Sequence, residues 1–120
     1  MDIKILYIKD AGDTSGERIV LQANSDCNIG DYILFDTTYE NNYISNKLRH
    51  NYWFPDKKIK AGDRIILYSK QGVESSKENK SGNTSHFFYW DLEDVTVWNK
   101  EEDCAVIIKV DDYNVKKMNT

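Results

Sequence analysis

Short runs rich in apolar residues follow one another along this chain, and several of them alternate apolar with polar positions as a strand with one buried face does. Polar stretches containing glycine or proline separate the runs, as turns between strands do. The runs are residues 3–7, 17–22, 29–36, 52–54, 64–69, 87–90, 95–98 and 104–110. Because no long helical period interrupts them, the chain is predicted to be an all-β, antiparallel sandwich of about seven to nine short strands.

The longest apolar segment, residues 87–110, predicts a buried pair of strands. Val97 and Trp98 end the first strand of the pair, and residues 99–103 form a polar break before the second. Side chains of one parity share a face of a strand. The second strand is therefore predicted to turn one apolar face to the core, made of Cys104, Val106, Ile108 and Val110.

Residues 29–36 are apolar on both parities of an extended chain. Tyr32 and Leu34 share one face, while Ile33 and Phe35 share the other. Such a strand is either covered on both sides or has an outer face that meets a partner.

The remaining segments punctuate a single domain, residues 1–120. Pro55 cannot donate to a ladder, so a strand should end beside it. Residues 70–86 are almost free of apolar side chains and are predicted to form a mobile hairpin loop or a disordered insert. Residues 116–120 should fray.

Composition narrows the class of protein. The chain has 120 residues and a net charge of -4, which opposes non-specific binding to nucleic-acid phosphates. It has neither the pattern of a secretory signal nor an apolar run of the ~20 residues that a membrane span needs. The sequence thus predicts a cytoplasmic protein. Cys27 and Cys104 are predicted to be buried free thiols, with a single disulfide as the alternative.

Three phrases in order resemble the lamin-tail domain family. They are residues 29–36, then Phe54-Pro55 with residues 59–63, then residues 97–99 with 103–106. Gly30-Asp31, Glu102 and the insert at 70–86 depart from the family pattern. The resemblance covers about residues 17–115 and implies an immunoglobulin-like sandwich with Trp98 packed between the sheets. It also implies a binding or tethering module without an active site.

Candidate chemistry is sparse, and the chain is predicted not to be an enzyme. A Ser or Cys nucleophile would need a histidine and a carboxylate within reach, and the only histidines, His50 and His86, are predicted to lie on the surface. The two cysteines lack zinc-cluster spacing, and no cofactor is predicted. Residues 91–103 carry six acids against one lysine, which allows a calcium site, although a solvated charge run is favoured.

Two segments are candidate partner surfaces. Between Lys47 and Arg64, six basic residues face two acids, and Trp53 lies among them. The group Trp53, Lys57, Lys58, Lys60 and Arg64 could bind an acidic protein segment or a single nucleic-acid strand. The alternative, which is favoured, is that the lysines protect an edge strand. The aromatic run 87–90 is predicted to place at least one ring, with Phe88 and Trp90 as candidates, at a partner or self-association interface.

These observations favour a non-enzymatic protein-interaction or tethering module. The alternative is a small acidic immunity or inhibitor protein that covers the basic site of a toxin nuclease. Its contact residues would be Glu101, Glu102 and Asp103. A hydrolase ranks third.

Overall fold

The computed structural model describes residues 1–119 and confirms the predicted all-β sandwich. The described chain contains eleven strands rather than seven to nine, because several two- and three-residue bridges add to the predicted set. One turn of 3₁₀ helix, Ile29–Asp31, precedes β4. The strands are β1 Ile3–Lys9, β2 Arg18–Ala23, β3 Cys27–Asn28, β4 Tyr32–Glu40, β5 Tyr43–Ile44, β6 Asn51–Trp53, β7 Lys58–Ile59, β8 Arg64–Tyr68, β9 Ser75–Glu78, β10 Thr84–Tyr89 and β11 Asp103–Lys109.

The first sheet has five strands in the order β1-β2-β8-β10-β9. All of its pairs are antiparallel except β8 with β10, which run parallel. The prediction of a purely antiparallel sandwich is wrong at this pair. The chain leaves β8, forms β9 at the sheet edge and turns back, so that β10 enters between β9 and β8. A parallel pair needs a long connection, and here a loop and an edge strand supply it instead of a helix.

The second sheet is centred on β4. β11 pairs along one side of β4, while β5 and β6 pair along the other side. β3 and β7 form a separate two-stranded antiparallel ladder. Because β4 has neighbours on both sides, its backbone groups are satisfied in the sheet, and only its side chains distinguish the two faces.

The core lies between the two sheets and is formed mainly by side chains of β1, β2, β4, β8 and β10, together with residues of the connections. Trp98 is 3% exposed and belongs to it, as the sequence implied. The buried apolar residues of this cluster are Ile3, Ile19, Leu21, Ala23, Ile29, Tyr32, Leu34, Phe54, Ile59, Ile65, Leu67, Phe88, Val97 and Trp98.

Residues 95–98 do not form the predicted strand. Val97 and Trp98 lie in an irregular segment, and β11 pairs with β4 instead. The buried carboxylate of Glu17 replaces a strand partner: its Oε2 accepts the Val97 N–H at 2.8 Å and its Oε1 accepts the Trp98 N–H at 3.1 Å. The same side chain also accepts from Gly12 N and from the Ser69 hydroxyl.

The predicted core parity of β11 is wrong as well. Ala105 and Ile107 pack against the core, while Val106 and Ile108 lie on the opposite face. Ala105 is opposite Asp36 and Ile107 is opposite Leu34, and these β4 residues are buried. Register with β4 therefore overrides the larger apolar residues in choosing which face turns inward.

The segment predicted as an insert carries two strands. β9 and the start of β10 lie within residues 70–86 and pair as an antiparallel hairpin. Pro55 follows β6, in agreement with the prediction that a strand ends beside it. Thr120, the last residue of the predicted frayed tail, lies outside the described residues. Within the described part of the chain, no helix has the length and apolar character of a membrane span.

Candidate functional site

The outer face of the second sheet carries a contiguous set of apolar side chains, here called the apolar face. Two cross-strand rows build it: Ile108, Ile33 and Trp53 in one row, and Val106 and Phe35 in the next. None of the five belongs to the core cluster. Ile33 and Phe35 point away from the core, so they form the outer apolar face of the strand predicted at residues 29–36.

The apolar face is open to solvent in the described chain. Trp53 is 46% exposed and Ile108 is 40% exposed, while the other three are half-buried by their neighbours. β11, at the edge of the sheet, presents apolar residues without a further strand beside it. Edge strands and exposed apolar patches are both typical of sites that meet another molecule.

A cleft opens at the end of the apolar face where β4 begins and β6 and β11 end. The Trp53 ring forms one wall, fixed by a 2.8 Å hydrogen bond from its Nε1 to the carbonyl oxygen of Gly30. Tyr113, from the segment after β11, meets the Trp53 ring edge-on, with centroids 5.0 Å apart and planes at 86°. Four carboxylate residues line the same cleft, here called the aspartate cleft: Asp31, Asp56, Asp111 and Asp112.

The charged residues that line the aspartate cleft are all acidic. Among the described residues that line it, none is a lysine, arginine or histidine. Asp56 accepts a hydrogen bond from Asn28 Nδ2 at 3.1 Å, and Asp112 accepts one from the Tyr113 N–H at 2.8 Å. The carboxylates come from three separate segments of the chain, so the negative potential is produced by the fold and not by a local run.

The predicted acidic surface divides into two parts. Glu101 and Glu102 are exposed in the turn before β11. The Asp103 side chain is 3% exposed, and it forms an ion pair with Arg49 at 2.8 Å while accepting the N–H groups of Asn99 and Lys100. Asp103 therefore shapes the turn and holds Arg49, and it is withdrawn from the surface that the sequence proposed.

Arg49 also ties Asp103 to the buried carboxylate of Asp36. Its Nη2 lies 3.2 Å from Asp36 Oδ1, and His50 Nδ1 lies 3.1 Å from the other oxygen of Asp36. Side chains of β4, β11 and the connection before β6 thus converge on Asp36. His50 is half-buried in this cluster and touches the edge of Trp90.

His86 lies in the interior, so the prediction that it is a surface histidine is wrong. It is 6% exposed, and its Nε2 lies 2.8 Å from Asp63 Oδ2 while its Nδ1 lies 3.3 Å from the Ser76 hydroxyl. Lys57 Nζ donates to that hydroxyl at 2.6 Å. The polar alternation of β9 and β10 hid this cluster, because its partner Asp63 lies 23 residues earlier.

Serine, histidine and aspartate in this order resemble the groups of a hydrolase, which the sequence did not bring together. Yet the carboxylate of Asp63 also accepts the N–H groups of Lys60 at 3.1 Å and Thr84 at 3.0 Å. Burial raises the pKa of Asp63, but hydrogen bonds from His86 and these two N–H groups more than offset it, so its pKa is lowered. The cluster joins the turn at 60–63 to the β9–β10 hairpin.

The remaining candidates do not form one surface. Lys58 and Lys60 line a shallow cleft beside Asp63 and Glu78, whereas Arg64 belongs to β8 in the middle of the other sheet. Lys57 is half-buried and also lies 5.4 Å from the Phe88 ring. The predicted basic group is therefore dispersed.

Phe88, in the aromatic run, is not part of a candidate surface. It is 1% exposed and packs edge-on against Phe54 at 5.2 Å. Trp90 is half-buried against the core, and its Nε1 donates to the Asn51 carbonyl at 2.9 Å. Both rings are thus used to join the two sheets.

The two cysteines are free, as predicted, but they are half-buried where the sequence predicted burial. Burial raises the pKa of each thiol, so both favour the protonated form. No group of three or more Asp, Glu, His or Cys side chains in residues 1–119 is placed to hold a metal ion.

Comparison with models of known protein families finds no match, and comparison with curated protein sequences finds none either. The resemblance to lamin-tail domains therefore stays a prediction.

Sequence reasoning found Trp53 but missed the rest of the aspartate cleft. The sequence analysis identifies none of the other lining residues Asp31, Asp56, Asp111, Asp112 and Tyr113 as binding residues. No local pattern connects these positions, because the fold assembles them from distant parts of the chain. The one available signal was the apolar outer parity of residues 29–36.

Proposed function

We propose that this chain is a non-enzymatic protein-interaction module, similar in role to lamin-tail domains, that binds a protein partner through the apolar face. The observation that supports it is the open row of Ile108, Ile33 and Trp53 on the outer side of β11, β4 and β6. Each of these strands already buries its other face in the core. The outer apolar side chains therefore contribute little to the fold of the isolated domain.

The composition of the apolar face suits a protein and not a nucleic acid. Aliphatic side chains with one tryptophan and one phenylalanine, placed next to carboxylates, offer no attraction to phosphates. An exposed tryptophan beside aliphatic residues is the kind of anchor that carries much of the energy of a protein interface. The dispersed lysines and Arg64 do not supply a competing basic groove.

The alternative, an inhibitor of a toxin nuclease, keeps Glu101 and Glu102 as exposed contacts. Asp103 is not available as a contact, because its side chain is buried in an ion pair with Arg49. The two functions differ in their dependence on Glu101 and Glu102. Neutralising these two residues would cripple the inhibitor, whereas it would leave binding through the apolar face nearly unchanged.

Capture from extracts of the native host, followed by binding measurements with the purified partner, tests the proposal. We expect Ile108→Glu to weaken binding about tenfold or more, because it places a charge in an apolar interface. Tyr7→Glu is the matched control: Tyr7 is 49% exposed on the edge strand of the other sheet. It should leave binding unchanged.

Equal binding by the two variants would overturn the proposal, as would a wild-type bait that captures nothing beyond what the Ile108→Glu bait captures. A loss confined to Glu101→Gln/Glu102→Gln would support the inhibitor instead. Circular dichroism and thermal unfolding of each variant establish that it is folded before binding is compared.

A further inference from the structure

We propose that the aspartate cleft holds a lysine or arginine side chain of the partner, so that the bound segment combines apolar residues with a basic one. This inference rests on the proposed function and names the chemistry of its partner. The apolar face would take the apolar residues, and the adjoining cleft would take the cation.

Two exposed aromatic rings form one side of the aspartate cleft. Trp53 and Tyr113 stand nearly perpendicular, and they are 46% and 64% exposed. The hydrogen bond from Trp53 Nε1 to Gly30 fixes the indole in place before any ligand arrives. Exposed ring faces attract cations, and they also provide an apolar wall for the methylene stem of lysine or arginine.

The aspartate cleft is negatively charged. Asp31, Asp56, Asp111 and Asp112 line the cleft, and no basic side chain among its described lining residues neutralises them. A cationic head group would meet both the ring faces and the carboxylates. An anionic ligand would be repelled by the same four groups.

The aspartate cleft is continuous with the apolar face. Trp53 belongs to both regions: it ends the row that begins with Ile108 and Ile33, and it forms a wall of the cleft. One extended or helical segment can therefore cover the apolar face and reach the cleft without a break. The sequence of the partner should show a basic residue at one end of an apolar stretch.

Nuclear magnetic resonance titration with small probes tests the cleft without a known partner. The probes are n-butylguanidinium and n-butylammonium, with butyrate and n-butanol as controls of the same chain length. We expect the two cations to shift the Trp53 indole N–H signal saturably, while butyrate and butanol leave it unchanged. The indole signals of Trp90 and Trp98 should stay in place, and Trp53→Phe identifies the signal.

Charge variants give the matched comparison. Asp111→Asn/Asp112→Asn should weaken the binding of butylguanidinium by about fivefold, as expected for two partly exposed carboxylates. Glu101→Gln/Glu102→Gln makes the same change of net charge at a site outside the cleft, and should leave the affinity unaltered. Shifts that are equal for cations and butyrate, or equal loss in both double variants, would overturn the inference.

The outcomes separate this inference from the proposed function. If butylguanidinium fails to shift Trp53 while Ile108→Glu still abolishes partner capture, the cleft assignment fails and the interaction module stands. If the cations bind but capture ignores Ile108→Glu, the proposed function fails. Sedimentation that shows a dimer disrupted by Ile108→Glu would identify a second copy of the chain as the occupant and would overturn the cationic partner.

Discussion

At the scale of single residues, Glu17 shows how one buried carboxylate can take the place of a strand partner. It is 1% exposed, and it accepts N–H groups from Gly12, Val97 and Trp98. These donors come from loops that have no ladder to join. The carboxylate thereby satisfies backbone groups that would otherwise be buried without partners.

Glu17→Gln should lower the free energy of unfolding by about 1–3 kcal/mol, because an amide nitrogen replaces one accepting oxygen and faces N–H donors. Chemical denaturation monitored by tryptophan fluorescence measures the change. Glu101→Gln, in an exposed turn, should change stability by less than about 0.5 kcal/mol. Equal stability of Glu17→Gln and the wild type would show that the loops do not depend on this charge.

Tyr32 and Tyr52 should ionise well above the ordinary tyrosine pKa of 10.0. Burial, then the charge of Asp2, raises the pKa of Tyr32 to about 12. Burial, then the charges of Glu74 and Asp91, raises the pKa of Tyr52 to about 12. The folded state prefers the neutral phenols, so their contribution to stability is complete below pH 10.0 and falls as the pH rises toward 12.

A spectrophotometric titration of the tyrosinate band measures this behaviour. Tyr32→Phe and Tyr52→Phe should each remove one late-titrating group. In the unfolded protein, the ionisation steps near pH 12 should be absent. Ionisation of Tyr32 and Tyr52 near pH 10.0, with the protein still folded, would contradict the assignment.

The sequence could identify several of these residues but not their roles. Trp98 was expected in the core because a similar tryptophan packs between sheets in lamin-tail-like sandwiches. Glu17 and His86 gave no signal. Glu17 is a charged residue at the start of an alternating run and is ordinarily assigned to the solvent face, while His86 ends a segment that is almost free of apolar side chains. Their partners lie far away in sequence: Val97 is 80 residues from Glu17.

At the scale of elements, β11 shows that register decides which side of an apolar strand is buried. Its residues are apolar on both parities, so alternation alone could not choose the inward set. β4 makes the choice, because Leu34 and Asp36 face inward opposite Ile107 and Ala105. The same pairing leaves Val106 and Ile108 for the apolar face.

Paired alanine substitutions in β11 test this assignment. Ile107→Ala should cost about 2 kcal/mol or more, because Ile107 packs against the core. Ile108→Ala should cost less than about 1 kcal/mol, because 40% of Ile108 is already exposed. Thermal and urea unfolding measure both, and the reverse order of costs would restore the parity predicted from the sequence.

The β9–β10 hairpin marks the other limit of element prediction. Residues 70–86 have one apolar side chain, the exposed Val73, so burial gave no reason to expect strands there. The order comes from polar contacts instead, with Ser76, His86 and Asp63 joined across the hairpin and the turn before β8. Hydrogen bonds of this kind leave no period in the sequence.

At the scale of the whole molecule, the sandwich was predictable because alternation records burial on one face of a strand. The assignment of strands to sheets was not, because it depends on which distant segments pair. The apolar outer parity of residues 29–36 gave half of the candidate site. The aspartate cleft escaped prediction because its walls come from three separate segments: Asp56 lies 25 residues after Asp31, and Asp111 lies 55 residues after Asp56.

Placing β10 between β8 and β9, and β11 beside β4, also has a consequence for synthesis on the ribosome. A nascent chain exposes the apolar edge of β8 until residue 89 has emerged, and that of β4 until residue 109 has done so. Unpaired edges of this kind promote aggregation. The protein is therefore expected to need protection by holding chaperones until nearly the entire chain has been translated.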